Sequence, residues 1–224
     1  MKITIKKSWD ALTWKEYEQL EQILNTDIPS DYKTVHIVSL LSGIPVETIE
    51  TLPIAEFSKL LPALDFLNTE PEKHTHQFEY TINGHEYDFK GKLEDISTAQ
   101  YIDYRAYMNE EEKDIVKLMS CFLIPKGHQY NDGYDMQQVT NDINDMCWLD
   151  LRAAAFFFRV QLAAYILILK SSLVGSMKKT KKGKKRQEQK QIQQNISQVE
   201  ESLNNTAYYL LSSESVNSQI LNLM

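Results

Sequence analysis

Three histidines that lie close together along the chain are the first candidates for chemistry. His74 and His76 form an H-x-H pattern, and His85 follows nearby. On an extended strand such a pair places both imidazoles on one face, an arrangement that zinc sites use. No acidic or thiol ligand stands at a recognisable zinc spacing, so the sequence favours solvated loop histidines and predicts no metal site and no cofactor.

The segment 130–135, which reads Tyr-Asn-Asp-Gly-Tyr-Asp, superficially suggests a calcium loop. It lacks the carboxylate spacing and the closing glutamate of an EF-hand. The pattern instead predicts a tight turn before the next helix. Because exposed loops with aromatic residues often carry function, this loop is a candidate protein-binding surface. The candidate contact residues are Pro125, Tyr130, Asn131, Asp132, Gly133 and Tyr134, together with Phe157 on a later apolar helix.

Patterns typical of enzymes are absent from the sequence. We find no G-x-S-x-G elbow, no cysteine with a recognisable histidine partner, and no glycine-rich phosphate loop. Acidic clusters such as Glu110–Glu112, and the pair Asp142 and Asp145, are interpreted as solvated helix faces or loops. The sequence therefore predicts no catalytic residues and a protein that is not an enzyme.

A basic run stands out in a chain whose net charge is -7. Its side chains could contact nucleic acid or an acidic protein surface. No aromatic residues are interleaved, so base stacking is not indicated. The simpler alternative is a flexible, solvated linker. The candidate electrostatic contacts are Lys178, Lys179, Lys181, Lys182, Lys184, Lys185 and Arg186.

The elements that must position these residues are mostly helices. The chain has 224 residues, 42% of them hydrophobic, with only 7 glycines and 6 prolines. Capping boxes at Thr13 and Ser97 predict two helix starts. Alternating residues on both sides of Asn83-Gly84 predict a β-hairpin over 77–90, with a type I′ turn. Residues 2–6 also alternate and are a candidate third strand of its sheet. The predicted fold is mainly α with a small β-hairpin.

The order of elements suggests two pseudo-repeated halves, each with a capping box followed by a second helix, although convergence of helix caps explains the similarity equally well. We predict a helical body over 1–174, a basic linker over 175–190 and a C-terminal amphipathic helix or tail over 191–224.

The apolar stretch 153–169 approaches the length of a membrane span. Arg159 and Gln161 lie near its middle, so a core helix buried nearly all round is favoured over a membrane helix. Cys121 and Cys147 belong to no CxxC motif and are expected to be buried, reduced thiols. The N-terminus has no apolar region typical of a secretory signal.

The order of motifs resembles small helical proteins encoded in the tail modules of gut bacteriophages. They are similar to the baseplate hub assembly chaperones of T4-like phages. The resemblance covers about residues 1–170, whereas the basic segment and tail depart from the pattern. Its motifs are Trp9, Leu12, Thr13 and Tyr17; Leu41, Gly43, Leu52 and Pro53; Ile96, Ser97, Gln100, Tyr101 and Asp103; and Pro125, Tyr130, Asn131, Asp132, Gly133 and Tyr134.

The resemblance implies a phage tail or baseplate assembly protein, either a non-catalytic chaperone or a minor structural component. Its partners would be tail or baseplate proteins, in the cytoplasm of the infected bacterial host or in the virion, and not a membrane. The alternative is a nucleic-acid-associated accessory protein that uses the basic segment 178–186.

Overall fold

The computed structural model describes residues 3–110 and 114–177, together with residues 194 and 197. The basic segment 178–186 lies outside the described residues, as does the predicted tail over 191–224 apart from those two positions. All structural statements below concern the part of the chain that is described.

The protein is mainly helical and carries one small antiparallel sheet, which confirms the predicted fold class. The described ranges contain eight α-helices. They are α1 (Trp14–Asn25), α2 (Ser30–Ser42), α3 (Val46–Glu50), α4 (Ile54–Phe57), α5 (Thr98–Met108), α6 (Ile115–Ser120), α7 (Met136–Asp145) and α8 (Trp148–Met177). The strands are β1 (Glu79–Ile82), β2 (His85–Phe89) and β3 (Leu123–Pro125), and 3-10 turns span Trp9–Ala11 and Leu61–Asn68.

Both predicted capping boxes form. The Thr13 hydroxyl accepts from the Glu16 amide at 3.3 Å, and the Glu16 carboxylate accepts from the Thr13 amide at 2.9 Å. Ser97 and Gln100 make the same exchange at the start of α5. Beyond the caps the two halves diverge, because α2 has 13 residues and α6 has 6. The internal repeat therefore stays a prediction.

The hairpin forms with the predicted turn, since Asn83 and Gly84 both have positive φ, at 52° and 83°. The third strand is not the N-terminal segment. It is β3, which pairs antiparallel with β2, whereas the Lys6 amide donates to the Leu41 carbonyl at the end of α2. Residues 121–124 are apolar without alternation and are buried on both faces, which gives a strand no period-two signal.

The start of α8 is held against the N-terminal segment by a compact aromatic cluster. The Trp148 ring stacks on Tyr17 at 4.1 Å, and its indole N–H donates to the Trp9 carbonyl at 2.8 Å. An isolated antiparallel bridge joins Thr13 to Cys147 beside this cluster. The N-terminal segment and the start of α8 are thus fastened together through both backbone and side chains.

Over residues 148–164, the part of α8 whose side chains are described, the apolar helix is buried on one side and exposed on the other, which corrects the expectation that it is buried nearly all round. Phe158 and Leu162 are 5% and 3% exposed, whereas Phe156 and Val160 are 56% and 47% exposed. Phe158 contacts Tyr104 of α5 and Phe122, so the inner face is a conventional core contact. In the described part of the chain, no helix is long and apolar enough to cross a membrane.

Candidate functional site

The predicted contact loop follows β3 and contains the expected tight turn. Asn131 and Gly133 both adopt positive φ, at 63° and 76°, on either side of Asp132. All three residues are exposed, while Pro125 at the end of β3 is half-buried. The turn therefore presents backbone and polar groups to its surroundings.

The aromatic side chains of this loop pack inward. The Tyr130 hydroxyl donates to the Asp103 carboxylate at 2.8 Å, and burial together with that hydrogen bond raises the pKa of Tyr130. Tyr134 is half-buried and meets His128 edge-on, with ring centroids 5.9 Å apart. These two rings hold the loop in place, so the polar tip is what remains for a partner to contact.

Phe157 lies on the hairpin side of α8. Its ring stacks on His76 with centroids 3.6 Å apart and meets Phe78 and Phe89 edge-on. Tyr130, by comparison, contacts Asp103 and the Cys121 thiol. The predicted contact residues thus belong to two separate sets of neighbours.

Among the side chains of α8 that are described, over residues 148–164, the large apolar ones that are exposed are at positions that the sequence analysis did not single out. Phe156 and Val160 are four residues apart, so they lie one above the other on the same helix face. We call this pair the α8 ridge. Phe78, which is 46% exposed, adds apolar surface next to Phe157. An amphipathic helix in a fully closed core would not present large apolar side chains in this way.

Asp142 is buried, which corrects its interpretation as part of a solvated helix face. It is 4% exposed, and its carboxylate accepts hydrogen bonds from Tyr87 (2.5 Å), Asn83 (2.9 Å) and His85 (2.9 Å). Burial alone would raise the pKa of Asp142, but these hydrogen bonds and the nearby imidazole outweigh it and lower the pKa. Asp145, one turn further along α7, remains exposed.

The sequence contains a pattern that indicates this hydrogen-bond network. Asp142 lies three residues after Val139 and immediately before Ile143, both buried, so it shares the apolar face of α7. Its partners His85 and Tyr87 alternate along β2 and therefore point to one side of the sheet. The network ties the hairpin to α7, which makes it a structural feature of the body.

His74 and His85 are exposed, as the interpretation as solvated residues expects, but all three histidines also make specific contacts. His74 pairs with Asp150 through its Nδ1 at 2.9 Å, and 29% of its side chain is exposed. His76 stacks on Phe157, and burial lowers its pKa. His85 contacts both Asp142 and Gln138. The histidines therefore fasten the segment before the hairpin, and the hairpin itself, to α7 and α8.

The two cysteines differ in surroundings. Cys121 is fully buried, and burial raises the pKa of its thiol to about 12. Cys147 is half-buried and lies close to His74 and Asp150. Neither forms a disulfide.

Comparison of the chain with protein-family models, with curated proteins and with solved structures gave no match.

Proposed function

We propose that this protein is a non-catalytic assembly factor that binds phage tail or baseplate proteins, as a chaperone or a minor structural component. The resemblance of its motif order to tail-module proteins supports the proposal. The α8 ridge is the observation that carries it, because Phe156 and Val160 offer apolar surface that no described element covers. Exposed apolar side chains of this kind favour a binding role.

The size of the ridge suits a reversible contact. Fully burying a phenylalanine or a valine contributes about 1.5–3 kcal/mol. Both side chains are already about half covered, so a partner would gain roughly 1.5–3 kcal/mol from the pair. That is roughly a 10- to 150-fold gain in affinity. A contact of this strength can protect an apolar segment of a partner and release it when assembly buries that segment elsewhere.

The polar loop tip at 131–133 is the second part of the proposed surface. Its backbone groups are fixed by the left-handed turn and by the inward-packed tyrosines, so little ordering entropy is lost on binding. We expect it to contribute hydrogen bonds and specificity, while the α8 ridge contributes apolar burial. In this proposal the protein acts in the infected bacterial cytoplasm and is either released or kept in the virion.

A pulldown from infected cells tests the proposal. The tagged full-length chain should recover tail or baseplate proteins, and Phe156→Ser with Val160→Ser should reduce that recovery at least tenfold. Ile54→Ser is the matched control, because Ile54 is an apolar side chain that is 78% exposed on a different helix, α4. Recovery of no tail or baseplate protein, or equal recovery by the double variant, would contradict the proposal.

A further inference from the structure

Three potential metal ligands of different chemistry converge where α8 begins. One ligand atom each from His74, Cys147 and Asp150 lie within 4.8 Å of one another. The His74 and Asp150 atoms are the closest, at 2.9 Å. Tetrahedral zinc with bonds of about 2.0–2.3 Å places its ligand atoms about 3.3–3.6 Å apart. Zinc binding therefore requires the His74–Asp150 contact to open by about half an ångström, and ligand atoms that lie as far as 4.8 Å apart to approach by up to about 1.2 Å.

Cys147 and Asp150 are fixed by backbone structure. The Trp14 amide donates to the Met146 carbonyl, and the Trp148 amide donates to the Leu12 carbonyl, so Cys147 is held between two interstrand hydrogen bonds. Its own carbonyl accepts from the Leu151 amide at 3.0 Å and starts α8. Asp150 follows three residues later in the first turn, which places both ligands on the same side of the helix.

His74 is brought to them by a segment that is anchored on both sides of it. On one side, the Thr69 carbonyl accepts from the Trp9 indole at 2.9 Å. On the other side, His76 stacks on Phe157 of α8. The imidazole therefore approaches from a different part of the chain than the other two ligands. Metal sites gain affinity when ligands are held in place before the ion arrives.

The local charge favours a cation. Asp150 is joined by the Asp10 carboxylate, which lies close enough to act electrostatically on both His74 and Cys147. The Cys147 thiol donates to the Asp10 carbonyl at 3.4 Å, and the amides of Leu149 and Asp150 lie close to its sulfur. A divalent ion would neutralise this acidic surrounding and draw the proton from the thiol.

The same three residue types also occur in thiol hydrolases, where histidine activates a cysteine. That chemistry requires the imidazole to accept a hydrogen bond from the thiol. Here the Cys147 thiol donates to the Asp10 carbonyl at 3.4 Å, and the His74 Nδ1 pairs with the Asp150 carboxylate at 2.9 Å. The arrangement is therefore better suited to holding a metal ion than to nucleophilic attack.

We propose that His74, Cys147 and Asp150 form a zinc site, with water as the fourth ligand. One nitrogen, one sulfur and one carboxylate oxygen match the borderline-soft character of zinc and not the all-oxygen preference of calcium or magnesium. The ion fastens the 69–78 segment to the start of α8. The site thus stabilises the body next to the Trp9–Trp148 contact.

Metal titration of the full-length protein tests the site directly. After removal of metal by a chelator, the protein should bind one equivalent of Zn²⁺, and zinc should raise the midpoint of thermal unfolding. Co²⁺ should bind with a thiolate-to-cobalt charge-transfer band in the near ultraviolet. Cys147→Ser should abolish that band although Cys121 is still present, and His74→Gln or Asp150→Asn should weaken zinc binding at least tenfold.

His128→Gln is the matched control, since His128 also lies near a carboxylate, that of Asp132 at 3.6 Å, but without a thiol. It should leave zinc affinity unchanged. Circular dichroism on each metal-free variant checks that it is folded. The absence of stoichiometric zinc binding to the wild-type chain would overturn the proposal, as would a charge-transfer band that survives Cys147→Ser. Rapid alkylation of Cys147 by iodoacetamide at neutral pH, unaffected by zinc, would favour a nucleophile instead.

Discussion

The hydrogen bonds to Asp142 provide the sharpest test of how the body is held together. Asp142→Asn keeps the shape of the side chain but removes its charge and replaces one acceptor oxygen by a donor. If the new amide oxygen faces Tyr87 and His85, those two hydrogen bonds remain but lose their charged acceptor. The new amide nitrogen then faces the Asn83 amide nitrogen, and because both groups are donors, that hydrogen bond is lost.

The expected loss follows from those three contacts. A hydrogen bond to a charged group contributes about 1.5–3 kcal/mol and a neutral one about 0.5–1.5 kcal/mol. The variant loses one hydrogen bond to a charged group and weakens two others. The expected loss of unfolding free energy is roughly 3 kcal/mol, because Asn83 still keeps its hydrogen bond with Asp145 at 2.9 Å. We expect the free energy of unfolding at neutral pH to fall by this amount.

The pH dependence supplies an independent check. The pKa of Asp142 is lowered in the folded protein. Its contribution to stability is therefore complete above the ordinary aspartate pKa of about 3.9 and is lost as the pH falls through the folded-state pKa. The difference in unfolding free energy between wild type and Asp142→Asn should therefore narrow as the pH falls below the ordinary aspartate pKa.

Urea denaturation followed by circular dichroism at neutral and acidic pH measures both effects. Asp145→Asn is the comparison on the same helix: it also loses a hydrogen bond from Asn83, but because Asp145 is exposed and Asn83 keeps its bond to Asp142, we expect a loss of about 1 kcal/mol or less. A loss below about 1 kcal/mol for Asp142→Asn at neutral pH, or a gap that stays constant into acid, would refute the reasoning.

Three further predictions concern the helix cap, the hairpin turn and the basic segment. Thr13→Ala should lower the free energy of unfolding by about 1 kcal/mol in urea denaturation, because the Glu16 amide loses its partner. Gly84→Ala should lower the free energy of unfolding by about 1 kcal/mol in the same assay, since φ at Gly84 is 83°. Gly91→Ala is unsuitable as its control, because an added Cβ would meet the Phe89 ring. If the basic segment 178–186 binds nucleic acid, filter binding should weaken steeply with salt, and replacing its lysines by glutamine should abolish the interaction; salt-independent binding, or none, would exclude that alternative.

Features encoded by neighbouring residues were predictable. The two capping boxes and the Asn83-Gly84 turn each depend on a spacing of a few residues, and all three form as expected. Gly43 likewise ends α2 in the left-handed conformation, with φ at 67°. In these places, local geometry alone satisfies the backbone groups that would otherwise lack partners.

Features that depend on distant contacts were not predictable from the sequence pattern. The choice of β3 as third strand requires knowledge of which element lies beside β2, and the burial of Asp142 requires its hairpin partners. His74 meets Cys147 and Asp150 only after the 69–78 segment folds back on α8. A histidine and a cysteine more than seventy residues apart carry no spacing signal that a motif could capture.

The contact between Trp9 and Trp148 also has a consequence for synthesis on the ribosome. The two residues are 139 positions apart in the chain, and the buried face of the N-terminal segment is completed only by the start of α8. At a translation rate of about 5–20 residues per second, roughly 7–28 s pass between the synthesis of Trp9 and that of Trp148, and Tyr17 lacks its partner for nearly as long. During that interval an apolar surface of the nascent chain stays uncovered, so a protein proposed to shield others is itself vulnerable to aggregation until nearly two thirds of its own length has been translated.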